Sequence, residues 1–446
     1  MATYIAFLCS VARTVGCLAL QAQKRLHPAI LWALSVIVLA GCAVVMWQVS
    51  DPPELFSDFA QAYYPAGQNI VRDVPRLYDR LTGCDESAVC GFVNIPVIAL
   101  LFAPLSRLSL NQAQLAFALL SLGCIVGCVY CLIALTAATD WKRWAIAALF
   151  ALNGPLFYSF REGNLTHVVL LLLVLALLCI EQDKEVWAGV LVASAAVIKL
   201  PLGLLCAYFL FKGRWRIVAG LGMALLGIVG TSFWWAGWES HVTWYRESVL
   251  PFSSKSLAAF NVQSVDGFLL RLQPNAPLYD WTPIPVDGTL QLARTGLTGV
   301  LLVISGMLLC LGRSRGDSKD MFYVEFCVVL CLALMISPIS WTHYYLLLLI
   351  PFSLYLGGRL PIQESGNRSF GMMMCLLLTS PPVLFLAPSY DSTAGIVLIS
   401  HYLFGALGLW GILCLALGRG TRAQTLAVPI PLKPYHPTSR YSQDSR

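Results

Sequence analysis

Charge is what this chain has least of. Only 12% of its 446 residues are Asp, Glu, Lys or Arg, about half the share of a soluble domain, and 58% are hydrophobic. A water-soluble globular protein is excluded. Several chemical signatures are missing as well. The six histidines are scattered, and no His/Cys/carboxylate group has ligand spacing, so a metal centre is not expected. There is no GxxxxGK[ST] loop and no GxGxxG after a strand, so no nucleotide cradle. No Asp-x-Asp pair is present to hold a nucleotide-sugar through a divalent ion. Internal repeats and inverted hydropathy symmetry, the marks of many secondary transporters, are absent too. No cleavable signal peptide is evident: residues 4–20 lack a basic start and contain Arg13, and read as an interfacial or signal-anchor-like preface.

What is present is a series of apolar runs of about 17–25 residues, the length that spans a bilayer. They predict an all-α polytopic membrane protein with about 11–13 transmembrane helices. Spans are expected near 28–49, 112–137, 143–160, 164–181, 187–211, 214–235, 295–312, 320–337, 341–357, 367–387 and 394–417. Residues 92–105 are short and carry Pro96 and Pro104. Residues 187–211 hold Lys199-Leu200-Pro201 at their centre, which sets a cation at mid-run and breaks the helix.

The surplus of Lys and Arg, 29 against 23 Asp and Glu, falls in short inter-helix loops and the tail. That is a topology signal rather than a nucleic-acid footprint. Lys24/Arg25, Lys142/Arg143, Lys212/Arg214/Arg216, Arg313/Arg315/Lys319, Arg359/Arg368 and Arg419/Arg422 all become cytoplasmic if two conditions hold. Residues 92–105 must not cross, and 187–211 must be two short helices meeting outside at Lys199–Pro201. The domain plan is then an interfacial segment 1–27, a transmembrane domain 28–417 with external loops near 50–111 and 236–294, and a disordered cytoplasmic tail 418–446. Trp234, Trp235, Trp238 and Trp244 form an interfacial aromatic belt in the second loop. Most of the 15 cysteines lie within apolar runs; Cys84 and Cys90 share a polar loop, and a disulfide between them stays open.

This arrangement puts every unexplained polar cluster on the external face. In SDFAQAYYPAG, Asp58 is a costly carboxylate at the mouth of a bundle, fit to act as a base or to cap the amphipathic helix that follows. Tyr63 and Tyr64 make that segment aromatic and suited to the membrane surface. Arg161-Glu162-Gly163-Asn164 reads as a tight turn, or as a second carboxylate with a cation for an anionic group. Lys199 lies too deep in its run to snorkel and offers an ammonium to a phosphate. His343, after Trp341, is either a hydrogen-bonded interface residue or a group that neutralises a phosphate. Asn261, Gln263, Ser264 and Arg271 offer groups for sugar hydroxyls.

Taken in order, SDFAQAYYPAG, FYSFREGNLTHVVLLLL, AAVIKLPLGLLCAYFLFKGRWR, NVQSVDGFLLRL and SPISWTHYYLLLLIPF resemble glycosyltransferase family 87, integral-membrane enzymes of the GT-C superfamily. The resemblance runs from about residue 50 to 357. It implies a GT-C-type bundle with amphipathic helices in the first external loop. It also implies a polyprenyl-phosphate-dependent hexosyltransferase of the mannosyltransferase kind. Asp58 would be the catalytic base, Lys199, His343 and Arg161 the contacts to the donor phosphate, and Tyr63, Tyr64, Glu162, Asn164, Asn261, Gln263, Ser264, Arg271 and Trp341 the substrate contacts. The family more often has Gly-Gln-x-Asn where this chain has Glu162-Gly163-Asn164. A lipid-linked donor carries its own leaving group, so no metal or other cofactor is expected. The implied partners are a polyprenyl-phosphate-sugar donor, a glycolipid or glycan acceptor and the lipid bilayer of a bacterial plasma membrane. Sugar, acceptor and oligomeric state are left open. A transporter or flippase of a lipid-linked anionic solute, or a scaffold subunit of an envelope-assembly complex, are the competing classes. Missing repeat symmetry and charges gathered at one face rather than the midplane weigh against the transporter.

Overall fold

The computed structural model describes residues 56–79, 91–139, 141–313, 319–362, 365–381 and 392–426. The expected first span at 28–49, the segment 1–27, Cys84 and Cys90 lie outside them.

After a π-helical turn at Phe59–Tyr63, α1 (Tyr64–Arg72) opens with Pro65 in its first turn, where a missing N–H costs nothing. One face, with Ala66 and Ile70, is buried, while Val71 and Arg72 face out. This is the amphipathic helix expected in the first loop. α2 (Pro96–Phe102) has only seven residues, roughly 10 Å at 1.5 Å per residue. Residues 92–105 therefore hold no helix long enough to cross.

α3 (Leu110–Thr136) starts in a capping box between Ser109 and Gln112 and stops at left-handed Ala137. The single span expected at 143–160 is instead two helices, α4 (Trp141–Ala151) and α5 (Gly154–Arg161). Asn153 breaks it: its side chain accepts from Leu156 N at 2.9 Å, and Pro155 sets a new first turn. α6 (Thr166–Glu181) and α7 (Glu185–Ile198) form an antiparallel hairpin. The expected break follows at Lys199, whose backbone leaves the helix (φ −130°, ψ 93°), and α8 (Gly203–Phe211) resumes beyond Pro201.

α9 (Trp215–Trp244) runs past the expected end at 235, with a kink at Gly237 (φ 73°, ψ 173°). Trp234, Trp235, Trp238 and Trp244 thus sit on a helix rather than in a loop. α10 (Pro251–Ser254) and α11 (Val265–Arg271) follow. Lys255–Ser256 (β1) pairs antiparallel with Ile284–Pro285 (β2). Then come α12 (Gly288–Arg313) and α13 (Lys319–Ile336). The span expected at 341–357 opens as a 3-10 helix, Thr342–Leu348, before α14 (Leu349–Leu356). Pro351 explains the change, because its ring would meet the carbonyl four residues back in a continuous α-helix. α15 (Gly366–Thr379), α16 (Thr393–Ile399) and α17 (His401–Leu426) are the last of the described helices. α17 continues into the segment expected to be a tail.

The described chain is largely helical with almost no strand, and four of its helices are long and apolar enough to cross a membrane. α7 lies tightly on α9: a Cβ on Gly189 would stand 2.0 Å from Ile217 O, and one on Gly220 2.0 Å from Val186 O. Small residues allow that approach, and it fixes the height at which α7 ends in Lys199.

The α6–α7 hairpin separates two polar layers. Asn164 and Lys199 flank one end. Glu181 and Glu185 mark the other, about 20 Å away for 14–16 residues at 1.5 Å each. At that far end Arg359 pairs with Glu181 at 3.0 Å and Arg214 with Glu185 at 3.9 Å. Lys212 reaches Glu325 at 3.0 Å, which also accepts from Tyr208 Oη at 2.8 Å. Three of the cations assigned to the cytoplasmic side, Arg359, Arg214 and Lys212, are thus gathered away from Lys199.

Candidate active site

The site is built where the first loop docks on the Arg161–Asn164 turn. Phe56 N donates to Arg161 O at 2.7 Å, and Asp58 N and Phe59 N donate to Glu162 O at 2.8 and 3.3 Å. Ser57 Oγ donates to Glu162 Oε2. Gly163 makes the contact possible. Its φ of +70° is a left-handed conformation, and a Cβ there would lie 2.7 Å from the Cβ of Phe59.

Asp58 makes no capping hydrogen bond to the helix it precedes. Its Oδ2 instead accepts from Asn164 Nδ2 at 2.7 Å. Asn164 is itself oriented, because its Oδ1 accepts from Thr166 Oγ1 at 2.7 Å and Thr166 N at 3.1 Å. One oxygen of the Asp58 carboxyl is thereby held, and the group is aimed by a buried amide. Burial raises the Asp58 pKa; the Asn164 hydrogen bond and the charge of Lys199 oppose that rise.

Lys199 is 6% exposed, and its Nζ lies 4.3 Å from the centroid of the Tyr344 ring. A cation over an aromatic face is partly compensated for lost water. Nothing among the ion pairs of the described residues involves Lys199. His343 abuts Tyr344, with ring centroids 5.1 Å apart, and lies within electrostatic reach of Lys199. Tyr63 is buried, stacked on Phe102 at 4.6 Å and within electrostatic reach of Asp58.

Beside this cluster opens a cavity of about 760 Å³. Its walls include Ile198, Leu200, Phe252, Trp341 and Tyr344, with Lys255 and Glu247 as charged members. Tyr344 connects it to Lys199. The first loop is laced to the frame around it: Asn94 Nδ2 donates to Ile198 O at 3.1 Å, Trp235 Nε1 to Ile70 O at 2.9 Å and Trp244 Nε1 to Val93 O at 3.1 Å.

The remaining expected residues divide in two. Glu162, Asn164 and Arg161 belong to the turn under Asp58, with Arg161 at the last turn of α5. The 261–271 group is used within its own loop. Thr342 N donates to Asn261 O at 2.8 Å and Gln263 N to Ser340 O at 2.6 Å, while Asn261 Oδ1 accepts from Trp281 Nε1 at 3.0 Å. Gln263 Nε2 donates to Phe260 O and Ile399 O, both at 2.8 Å. Ser264 caps α11 by accepting from Gly267 N at 3.1 Å. Arg271 donates to Ala259 O, Val262 O and Ser400 Oγ at 2.8–3.0 Å. These bonds brace the segment 340–342 that leads into His343. Tyr64 is likewise engaged, donating to Leu108 O at 2.8 Å.

Sequence reading missed Tyr344 as the ring under Lys199. It also missed His167, buried at the start of α6 with Nδ1 3.0 Å from Ser159 Oγ. The signal for His167 was the one used for His343, a histidine one residue into an apolar helix.

At one end of the helical bundle a carboxylate, a lysine and a histidine thus lie within electrostatic reach, Asp58 and His343 each of Lys199, beside a largely apolar cavity, an arrangement of the kind an integral-membrane enzyme uses. Residues 92–338, more than half of the chain, match the model of glycosyltransferase family 87. The chain belongs to that family and is an integral-membrane glycosyltransferase. It is similar to the polyprenol-phosphate-mannose-dependent alpha-(1-2)-phosphatidylinositol pentamannoside mannosyltransferase of Mycolicibacterium smegmatis, with 27% identity over 327 residues, 69% of this chain and 74% of the relative. Asn164 and Lys199 fall inside the family match, Asp58 and His343 outside it.

Proposed function

We propose that this protein moves a hexose, mannose by analogy with its relative, from a polyprenyl-phosphate donor to a glycolipid or glycan acceptor. The observation that carries the reading is the Asp58 carboxylate, held by Asn164 and set within electrostatic reach of Lys199 at one end of the bundle. The reaction is a single displacement. Asp58 takes the proton of an acceptor hydroxyl as that oxygen bonds to the anomeric carbon. The bond from that carbon to the phosphate oxygen breaks on the opposite face, and its electron pair leaves with the polyprenyl phosphate. Configuration inverts.

Lys199 and His343 face the charge that collects on the leaving phosphate, where fixed cations and donors in a water-poor site act most strongly. Arg161 lies in the turn on which the first loop docks. The apolar cavity beside Tyr344 suits the first isoprene units of the donor, and the laced first loop suits an acceptor held for attack. Because the leaving group is already a phosphate, the reading calls for no divalent ion. The positive-inside pattern supports a reading with Asp58 on the external side of a bacterial plasma membrane and the cation layer and C-terminal segment in the cytoplasm.

The test is donor dependence in proteoliposomes. Radiolabelled mannose is expected to pass from polyprenyl-phosphate-mannose to a glycolipid acceptor, and to do so in EDTA. Transfer from GDP-mannose alone would contradict the reading. So would movement of a lipid-linked solute with no new glycosidic bond.

A further inference from the structure

Two buried imidazole nitrogens near the site make no hydrogen bond to the protein: Nε2 of His343 and Nε2 of His167. A buried polar atom without a partner costs about as much as a lost hydrogen bond, so a pair of them together asks for an explanation. His167 is wholly buried (0% exposed). Its ring meets Phe117 edge-on at 6.2 Å, and Phe117 stacks on Phe59 at 4.8 Å, the residue next to Asp58. Lys199 lies within electrostatic reach of both imidazoles, and the two imidazoles within reach of each other.

Ser159 decides what His167 can offer. Its hydroxyl, itself fully buried, lies 3.0 Å from Nδ1. When that hydroxyl donates to Nδ1, the ring proton sits on Nε2, and Nε2 becomes a donor. Two Nε2 atoms without protein partners, carried on the packed helices Thr166–Glu181 and Thr342–Leu348, and an ammonium without an ion-pair partner among the described residues thus lie within electrostatic reach of one another. An ammonium, a donating Nε2 on His167 and the partnerless Nε2 of His343 suit one anionic group with several oxygens.

We propose that His167 is a third member of the phosphate pocket, its Nε2–H donating to a non-bridging oxygen of the donor phosphate together with His343 and Lys199. The inference rests on the donor reading above. It makes Ser159 a positioning residue, one that acts through the His167 tautomer and touches no substrate.

The experiment is binding of farnesyl phosphate to the purified protein in nanodiscs, with farnesol as the phosphate-free control. His167→Phe is expected to weaken farnesyl phosphate roughly tenfold, the scale of one charge-assisted hydrogen bond, and to leave farnesol unchanged. His167→Gln keeps an N–H near the same place and is expected to bind farnesyl phosphate close to the wild-type level. Ser159→Ala frees the tautomer and is expected to weaken farnesyl phosphate without affecting farnesol; it serves as the test if the Phe variant does not fold. Equal binding of farnesyl phosphate by wild type, His167→Gln and Ser159→Ala, with either no change in His167→Phe or an equal loss of farnesol, overturns the inference and leaves the donor reading intact. A wild-type protein that binds farnesyl phosphate no better than farnesol overturns the donor reading, and the inference with it.

Discussion

The side chain of Asn164 donates to Asp58 across 2.7 Å and joins residues 106 apart in the sequence. The bond favours the carboxylate against the burial that disfavours it. Asn164→Ala removes that support, so the Asp58 pKa rises further. A base works only when deprotonated, so the acidic limb of the kcat/KM profile is expected to move to higher pH, with a fall of roughly tenfold at neutral pH. An unchanged acidic limb would separate Asn164 from the titrating group.

Gly163 holds a left-handed backbone against Phe59. Gly163→Ala adds about 1–2 kcal/mol of backbone strain and drives the new methyl into the Phe59 side chain. The first loop is expected to lift from the turn, with a loss of kcat of about tenfold or more. Faster proteolysis between residues 56 and 79, measured alongside, reports the same displacement.

Asp58 also carries a stability consequence. Burial raises its folded pKa above the ordinary carboxylate range. A group of this kind contributes stability that is present below its unfolded pKa and lost as pH rises through the folded value. Asp58→Asn removes the charge and keeps an acceptor for Asn164. The variant is expected to melt higher than wild type at neutral pH, and the gap to close in acid. A variant that melts lower at neutral pH would mean that the ionised carboxylate stabilises the fold.

The sidedness of the site has its own test. Leu200, beside Lys199, is 55% exposed and lines the cavity. Leu200→Cys is expected to react with a membrane-impermeant thiol reagent added to whole cells. Labelling only after the inner face is opened would invert the topology.

Much of this arrangement was legible in the chain because its causes are local. Lys199-Leu200-Pro201 breaks a helix wherever it lies in the fold, and two prolines keep 92–105 too short to cross. The split at Asn153 was equally local, but a continuous apolar run from 143 to 160 masked the Asn-Gly-Pro signal. Long-range pairings were not legible. Asn261, Gln263 and Arg271 looked available to sugars because their partners, at 281, 340–342 and 399–400, are brought to them only by the fold. His167 went unnoticed for the same reason, since a buried histidine becomes conspicuous only when its neighbours are known.

The central claim is that Asp58 accepts the proton of the acceptor hydroxyl. The most direct measurement compares membranes carrying wild-type and Asp58→Asn protein at equal abundance, supplied with radiolabelled polyprenyl-phosphate-mannose and a glycolipid acceptor. Transfer by Asp58→Asn is expected to fall to the level of membranes without the protein, while binding of farnesyl phosphate persists. Transfer at the wild-type rate by Asp58→Asn would contradict the account.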